Sequence, residues 1–343
     1  MLMIELSVTA TLAVGMLLVI LPGQIDLSAG SGVGLLGGIA AVLVVKGGLP
    51  APIGLATALV IGLCLWGAMG LAIMRLKIQA FIITLGGLLI FKGLFWLVIQ
   101  SSTVPVLGGE SANLYSRLTT WYVPARWGWV VWLVAISGLI GSAVTDRRMR
   151  QKAEMHVESG ELLFLKLFVM GQSLLLIVLV SNLYRGLPLP FLILVALALV
   201  VDWLTRHTPF GRYLYAIGGN EQASYACGVP VDRTVIGAFT FMGGVVALTG
   251  FMQTAYAGAS TTSVGELMEL DAIAACVIGG ASLKGGRGTV LGTILGALIM
   301  ASLLNGMTLL AVSPELKLMV RGSVLVLAVV MDVRMRRDTL ANG

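Results

Sequence analysis

Runs of about 20 apolar residues recur along the whole length of this chain of 343 residues. A helix of about that length is what crosses the hydrocarbon core of a bilayer, which is ~30 Å thick. Charged residues make up only 11% of the chain, whereas a soluble globular protein has about 25%. The sequence therefore predicts an all-α fold, a polytopic bundle of transmembrane helices. Transport, channel formation and intramembrane chemistry are the functions open to such a chain.

Eleven hydrophobic spans are predicted, within one transmembrane domain over residues 1–343. They are 1–22, 27–46, 52–74, 78–99, 126–144, 162–182, 187–205, 233–256, 269–283, 288–306 and 318–333. The span 269–283 is short for a straight crossing, which predicts a re-entrant or broken segment. Three isolated cysteines and two histidines give no disulfide framework and no metal spacing. We read the net charge of +6 as a topology signal and expect no nucleic-acid partner.

The distribution of lysine and arginine predicts an orientation with the C-terminus in the cytoplasm. The cytoplasmic segments then carry Arg75, Lys77, Arg147, Arg148, Arg150, Lys152, Arg206, Arg212, Arg233, Lys284, Arg287, Arg334, Arg336 and Arg337. The outer segments carry less than half as many, namely Lys46, Arg117, Arg126, Arg185, Lys317 and Arg321. Eleven crossings would place the N-terminus outside. We therefore expect that a first helix is absent from this chain, or that 269–283 is not a full crossing.

Two glycine-rich runs resemble nucleotide-binding loops, but neither has the required context. The run Gly32-Val-Gly34-Leu-Leu-Gly37 follows no strand and lies in an apolar span, so close helix packing is the better reading. In GGASLKGGRG, Gly285 follows Lys284 where a phosphate loop needs Ser or Thr. We predict no cofactor and no enzymatic activity, so any ATPase must be a partner. A secondary transporter would need intramembrane ion sites, and few candidates are present beyond Asp26, Lys92 and Asp202.

Polar interruptions of the apolar spans suggest a path for a solute. Asp26 stands among Pro22, Gly23 and Gly30, where a helix break would expose backbone groups to a polar ligand. The alternative reading is that Asp26 caps the next helix. A second acidic group of Glu266, Glu269 and Asp271 precedes a glycine pair and is open to the same two readings. The predicted translocation path comprises Asp26, Ser28, Gly30, Thr84, Gly86, Gly87, Asp271, Gly279, Gly280 and Asn305.

Two further polar side chains, those of Thr84 and Lys92, lie within the apolar spans. The Thr84 hydroxyl can satisfy a local carbonyl instead of lining a path. Lys92 lies too deep in its span to be explained by simple snorkelling.

The polar stretch 205–233 lies between two strong spans and contains FGRYLYAIGGNEQASYACGVPVDR. Its helix-forming residues and glycine breaks predict a short cytoplasmic helix that a partner could grip. We expect Gly218 and Gly219 to occupy backbone positions with positive φ. The candidate coupling residues are Gly211, Arg212, Tyr215, Ala216, Gly218, Gly219, Asn220, Glu221, Ala223 and Gly228.

This stretch resembles the cytoplasmic coupling segment of the ribose/xylose/galactose class of ABC transporter permeases. Three other stretches agree in the expected order: LAVGMLLVILPGQIDLSAGS, QAFIITLGGLLIFKG and ELDAIAACVIGGASLKGGRGTVLGTILGALIMASLLNGM. Within that class the chain looks most like the D-xylose branch. That branch has two extra helices before the coupling segment, which match spans 126–144 and 162–182, and the stretch Asn182 to Pro190 also agrees.

The resemblance implies a subunit that transports a monosaccharide across the bacterial inner membrane, and the expected substrate is a pentose, D-xylose. Ribose, galactose or a furanosyl signalling molecule are the alternative substrates. It also implies a second permease subunit, a cytoplasmic ABC ATPase and a periplasmic sugar-binding protein. The chain departs from the class at its start, where the usual tail and first helix are missing, and at Pro22, where relatives tend to have a small residue.

Overall fold

The computed structural model describes residues 2–107, 113–152 and 160–341. Its helices are α1 (Leu2–Ile20), α2 (Ala29–Ala41, continued by a π-helical turn at Val42–Lys46), α3 (Ala51–Leu76), α4 (Ala80–Ile99), α5 (Leu114–Thr120), α6 (Ala125–Lys152), α7 (Gly160–Tyr184), α8 (Leu189–His207), α9 (Pro209–Gly219), α10 (Glu221–Ala226), α11 (Val231–Ala257), α12 (Met268–Ile278), α13 (Val290–Leu309) and α14 (Pro314–Ala341). Four strands of two residues each complete the fold: β1 (Val104–Pro105), β2 (Tyr122–Val123), β3 (Leu187–Pro188) and β4 (Ala259–Ser260). The predicted helical membrane fold is confirmed.

Nine of the helices in the described ranges are long and apolar enough to cross a membrane: α1, α2 with its π turn, α3, α4, α6, α7, α8, α11 and α13. Of the other two predicted spans, 269–283 agrees with the expectation of a short or broken segment, whereas 318–333 is not among these nine helices. The span 269–283 contains α12, which has only 11 residues, enough for about half a bilayer. The span 318–333 belongs to α14, whose apolar stretch is interrupted by Arg321 and Asp332.

The chain divides into two compact units. The larger unit comprises residues 1–119 and 193–343. In it, α11 packs against α3, α2 and α1, while α12 packs between α13, α1 and α14. Glycines allow the closest of these approaches. A Cβ atom on Gly243 would lie 2.3 Å from the carbonyl oxygen of Gly62, so α3 and α11 meet backbone to backbone.

The smaller unit comprises residues 120–192 and contains the hairpin of α6 and α7. The antiparallel pair β2–β3 joins the ends of these helices, with Val123 opposite Leu187. Gly186 has a φ of +97° and a Cβ there would lie 1.9 Å from the carbonyl oxygen of Val123, so only glycine fits this corner. The predicted single domain over 1–343 stays a prediction.

Candidate translocation and coupling sites

Two interrupted segments of the larger unit meet at the N-terminal ends of α2 and α12. The chain runs irregularly over residues 21–28 before α2 begins, and over 261–267 before α12 begins. A Cβ on Gly265 would lie 2.1 Å from the carbonyl oxygen of Gly30, and a Cβ on Gly34 would lie 2.6 Å from that of Val264. The two helix starts are therefore in backbone contact. We call this contact of residues 28–34 with 264–269 the half-helix junction.

Asp26 holds the start of α2 in place from a fully buried position. Its Oδ1 accepts hydrogen bonds from the backbone N–H of Ser28 (2.8 Å) and from the Ser28 hydroxyl (2.6 Å). Its Oδ2 accepts one from Nε1 of Trp66 (2.6 Å), which lies near the middle of α3. Both oxygens are thus occupied by protein donors. Asp26 therefore holds the turn before α2 inside the bundle and does not cap the helix, because the N-cap residue of α2 is Ser28 and its first turn has no side-chain cap.

Replacing Asp26 with asparagine should destabilise the protein by about 1–3 kcal/mol. The amide oxygen can still accept the hydrogen bonds from Ser28, but the amide nitrogen cannot accept a hydrogen bond from Trp66 Nε1. The measurement is the thermal unfolding of the detergent-solubilised protein. Trp66→Phe removes the same bond, so the double variant should lose less than the two single variants together. Strict additivity would contradict the contact.

Glu269 occupies the space beside the first turn of α2. A Cβ on Gly30 would lie 1.9 Å from Oε2 of Glu269, and the Glu269 side chain is buried. A carboxylate at this place is stabilised by the positive ends of two helix dipoles, those of α2 and α12. The sequence grouped Glu269 with Glu266 and Asp271 as acids at the start of one helix, but the position of Glu269 against α2 follows only from the tertiary fold.

Thr84 and Gly87 of α4 lie against the same junction. The Thr84 hydroxyl donates to the carbonyl oxygens of Ile25 (3.2 Å) and Phe81 (3.3 Å), so it satisfies a local carbonyl and also ties α4 to the irregular segment. A Cβ on Gly87 would lie 3.2 Å from that of Ser28. Gly86, by contrast, has open space around it. The structure thus brings Asp26, Ser28, Gly30, Thr84 and Gly87 together.

The remaining predicted path residues lie elsewhere. A Cβ on Gly279 would lie 2.3 Å from the carbonyl oxygen of Gly292, so Gly279 packs on the start of α13. Gly280 is exposed, with a φ of +88°. Asn305 lies 13 residues after Gly292, about 20 Å further along α13.

Asn305 belongs to a polar cluster that the sequence analysis missed. Its Nδ2 donates to Oε2 of Glu5 (2.7 Å), and the Tyr256 hydroxyl donates to Oε1 of Glu5 (2.9 Å). One carboxylate therefore links α1, α11 and α13. The sequence did contain a sign of this cluster, because Glu5 is an acidic residue in the first turn of an otherwise apolar helix.

Asp271 is buried on α12 and pairs with Arg321 of α14, with 3.5 Å between Asp271 Oδ2 and Arg321 Nη2. Asp271 Oδ1 and Arg321 Nε have no hydrogen-bond partner among the described residues. The orientation argument counted Arg321 among the charges of an outer loop. It instead lies within α14 and neutralises a buried carboxylate, so it does not belong in that tally.

Replacing Arg321 with methionine should destabilise the protein by about 3–5 kcal/mol, because it leaves the carboxylate of Asp271 buried and unpaired. Thermal unfolding in detergent measures the loss. Lys317→Met is the control, because Lys317 lies one turn earlier on α14, is only partly buried and donates to the hydroxyl of Thr308 (3.1 Å) instead of pairing with a buried carboxylate. Adding Asp271→Leu to Arg321→Met should restore much of the stability. Equal melting of the Arg321 and Lys317 variants would contradict the pairing.

The predicted coupling segment 205–233 forms two short helices, α9 and α10. Thr208 caps α9 by accepting from the backbone N–H of Gly211 (3.3 Å), and Asn220 caps α10 by accepting from that of Ala223 (2.9 Å). Arg212, Ala216, Gly219, Glu221, Ala223 and Gly228 are exposed. Gly228 has a φ of +78°, which ends α10. The Tyr225 hydroxyl donates to Asp232, and this bond raises the pKa of Tyr225 to about 12.

Gly218 is where α9 contacts the rest of the bundle. A Cβ on Gly218 would lie 1.9 Å from the carbonyl oxygen of Leu21 and 2.2 Å from the backbone nitrogen of Gly286. Gly286 N–H in turn donates to that same Leu21 oxygen (2.9 Å), and the Tyr215 hydroxyl donates to the carbonyl of Gly288 (2.8 Å). We call the contact of Leu21, Gly218, Gly285 and Gly286 the glycine junction.

The expectation of a positive φ at Gly218 and Gly219 was wrong. Among the described residues, the positive-φ glycines nearest in space to Gly218 are Gly285 and Gly286. Gly218 is required by close approach of backbones, whereas nothing lies within 4 Å of a Cβ on Gly219. Two adjacent glycines in one helix therefore have different roles, because only one of them faces the bundle.

An open cavity of about 720 Å³ lies beside this junction. Its polar lining comes from the irregular segment before α2, the turn between α3 and α4, and the region of α10 and the start of α11: Gln24, Lys77, Gln79, Glu221, Tyr225 and Asp232. The size falls within the range of about 300–1,000 Å³ that is usual for small-molecule sites. Amide, carboxylate, ammonium and phenol groups supply both donors and acceptors, which suits a neutral polyhydroxylated solute.

A model for the permease component of branched-chain amino acid transport systems matches residues 1–329. The chain belongs to this family of permeases. It is 38% identical to the xylose transport system permease protein XylH of Escherichia coli over 338 residues, which cover 97% of this chain and 84% of that protein. It is 39% identical to XylH of Haemophilus influenzae, over 96% of this chain and 86% of that protein. The ribose import permease protein RbsC of Escherichia coli is 32% identical, over 96% and 83%. No solved structure matches the chain.

Membership confirms the predicted recognition of an ABC-type permease that is not itself an enzyme. It also makes the permease a multi-pass membrane protein that works with an ATPase and a solute-binding protein. A permease needs a route through the bilayer and a surface for its ATPase. The half-helix junction and the glycine junction are the candidates for these two roles.

Proposed function

We propose that the chain is the membrane-spanning permease subunit of an ATP-driven importer of a monosaccharide, with D-xylose as the substrate. The level of identity to xylose permeases, above that to the ribose permease, supports the choice of sugar. The observation that carries the proposal is the glycine junction. It joins the pair of short helices α9 and α10 directly to the irregular segment before α2 (21–28) and to the irregular segment after α12 (279–289).

The proposed machine contains two copies of this permease, a cytoplasmic ABC ATPase and a periplasmic sugar-binding protein, in the bacterial inner membrane. The ATPase binds the permease at α9 and α10. A shift of α9 acts through Gly218 on Leu21 and Gly286, and hence on the irregular segments 21–28 and 279–289. Those segments border α2 and α12, so the shift changes the half-helix junction. The cavity lined by Gln24 and Gln79 is the cytoplasmic mouth of the path.

The path passes the half-helix junction, where Asp26 and Glu269 have structural roles. A neutral sugar requires no ionic ligand, so Asp26→Asn should keep part of the uptake while it lowers stability. Sugar choice rests mostly with the binding protein.

The proposed orientation places α9, α10 and the C-terminus in the cytoplasm. Without Arg321, the excess of lysine and arginine on that side is larger than the sequence count indicated. Cys227 between α10 and α11 and Thr103 after α4 are both exposed, and they lie on opposite sides in this scheme. In intact cells with Cys64→Ala, a membrane-impermeant maleimide should label Thr103→Cys and leave Cys227 unlabelled. The reverse pattern would overturn the orientation.

Reconstitution tests the function. Proteoliposomes that contain the permease, its ATPase and the xylose-binding protein should accumulate D-xylose only with ATP, and D-ribose more slowly. The purified permease alone should not hydrolyse ATP, because it has no phosphate loop. Faster uptake of D-ribose or D-galactose would reassign the substrate. Uptake driven by an ion gradient without ATP would instead indicate a secondary transporter.

A further inference from the structure

Lys92 places a positive charge on an exposed face of a membrane span. It lies 12 residues after the first residue of α4, about 18 Å from that end and about 10 Å from the other. Its side chain is 42% exposed, and its Nζ lies 3.6 Å from Oε1 of Glu266, whose side chain is 57% exposed. Glu266 adjoins Gly265 of the half-helix junction. The pair is therefore open to its surroundings at a depth where most exposed side chains are apolar.

Such a pair is not compatible with contact to lipid. A charged side chain in the middle of a bilayer costs about 2.5–3.5 kcal/mol even by the lower scales, and intramembrane charges face the protein interior or a watery cavity. Snorkelling does not remove the cost, because the ammonium of Lys92 is held at Glu266, and Glu266 follows Gly265, which is in backbone contact with α2 at the half-helix junction. This face of α4 therefore borders water.

An exposed indole completes the same face. Trp96 lies one turn after Lys92 and is 44% exposed, and Lys92 Nζ lies 5.8 Å from the centre of its ring. Together, an ammonium, a carboxylate and an aromatic ring can bind a sugar in its pyranose form. The indole covers the apolar C–H face of the ring, while the charged groups donate to and accept from adjacent hydroxyls.

We propose that Lys92, Trp96 and Glu266 form a monosaccharide subsite on the wall of the aqueous path. This subsite rests on the proposed function and adds to it a face of α4 and a set of sugar contacts. Lys92 and Glu266 have no other ion pair or side-chain hydrogen bond within the described ranges, so further donors and acceptors of both groups are available to the sugar. The sugar is bound beside the half-helix junction, where a change in α2 and α12 would alter the distance between Lys92 and Glu266.

Two neighbouring residues of α4 give a matched test. Leu89 and Ile90 are 66% and 60% exposed, at nearly the same depth. Leu89 lies seven residues before Trp96 and three before Lys92, hence on the subsite face, whereas Ile90 points about 160° away from Lys92. Each is replaced by cysteine in a chain whose three native cysteines are alanine. The permease–ATPase complex in proteoliposomes is then treated with a charged methanethiosulfonate.

We expect Leu89→Cys to react and Ile90→Cys to stay unreactive because it faces lipid. D-Xylose should slow the reaction of Leu89→Cys. The free amino acid glycine, added as a control solute at the same concentration, should not. Adding Lys92→Met should raise the half-protecting concentration of D-xylose about tenfold, the loss expected for one hydrogen bond from a charged donor. Lys92→Arg, which keeps a charged donor, should restore most of the protection.

Three outcomes would overturn the subsite: equal reactivity of the two cysteines, labelling that D-xylose does not slow, or a disulfide between Leu89→Cys residues of two permease copies, which would make this face a subunit contact. The proposed function is judged separately by ATP-driven D-xylose uptake of the otherwise unaltered permease. Normal uptake together with unprotected labelling would refute the subsite alone. Absence of uptake would count against the proposed function.

Discussion

Replacing Gly218 with leucine should abolish ATP-driven uptake of D-xylose, whereas Gly219→Leu should leave most of it. A side chain on Gly218 would enter the space of the Leu21 carbonyl oxygen and the Gly286 nitrogen, which are backbone atoms that cannot turn aside. The glycine junction would have to open. A side chain on Gly219 meets nothing within 4 Å, and leucine at a helical position is favoured over glycine by up to about 1 kcal/mol.

Uptake and ATP hydrolysis should be measured in the same proteoliposomes, with gel filtration of the complex as the check on assembly. If α9 transmits force through Gly218, the Gly218→Leu complex should assemble and hydrolyse ATP without transport. A complex that fails to assemble would show that the junction holds α9 in position for the ATPase, and Gly218→Ala then tests transmission with a smaller intrusion. Wild-type uptake by Gly218→Leu would refute the role of the junction.

Replacing Gly30 with alanine should also stop transport, because even one methyl group would lie 1.9 Å from Glu269 Oε2 and 2.5 Å from the carbonyl oxygen of Gly265. Separating the starts of α2 and α12 to fit it would break the half-helix junction. Overpacking in a well-packed interior costs about 1–3 kcal/mol, and more where the obstacle is backbone. Gly30→Leu should be worse still.

Alanine substitutions at two other glycines of the predicted path should reduce transport less than Gly30→Ala does. Gly87→Ala should be intermediate, because its Cβ would lie 3.1 Å from the Met69 sulfur, the flexible end of a side chain. Gly86→Ala should behave like wild type, since its surroundings are open. D-Xylose uptake and membrane insertion of all three variants should be measured together. If Gly30→Ala and Gly86→Ala insert normally and transport equally, the path does not pass the half-helix junction.

The membrane class, most helix positions and the family were predictable from residue order. Apolar runs of membrane length depend on hydrophobicity alone, and the ends of α3, α4 and α11 lie within about two residues of the predicted spans. The short helical structure within the stretch 205–233 was also predictable, because its glycine breaks and caps are local features. The distribution of lysine and arginine predicts an orientation, but Arg321 shows its weakness: a charge that pairs inside the bundle cannot be told from a loop charge by position in the sequence.

Which glycine matters, and what each acidic residue does, depended on the tertiary structure. Gly218 and Gly219 are indistinguishable in sequence, and so are Gly86 and Gly87; only the backbone packed against one of each pair separates them. Asp26, Glu269 and Asp271 likewise look alike as acids near a helix start. Asp26 holds the turn before α2, Glu269 lies against the first turn of a neighbouring helix, and Asp271 pairs with α14. The sequence by itself determined that the chain crosses a membrane and where its helices break, because hydrophobic length and backbone breaks are properties of short segments. The tertiary structure decided which breaks meet, since contacts between residues far apart in the chain depend on how the helices pack.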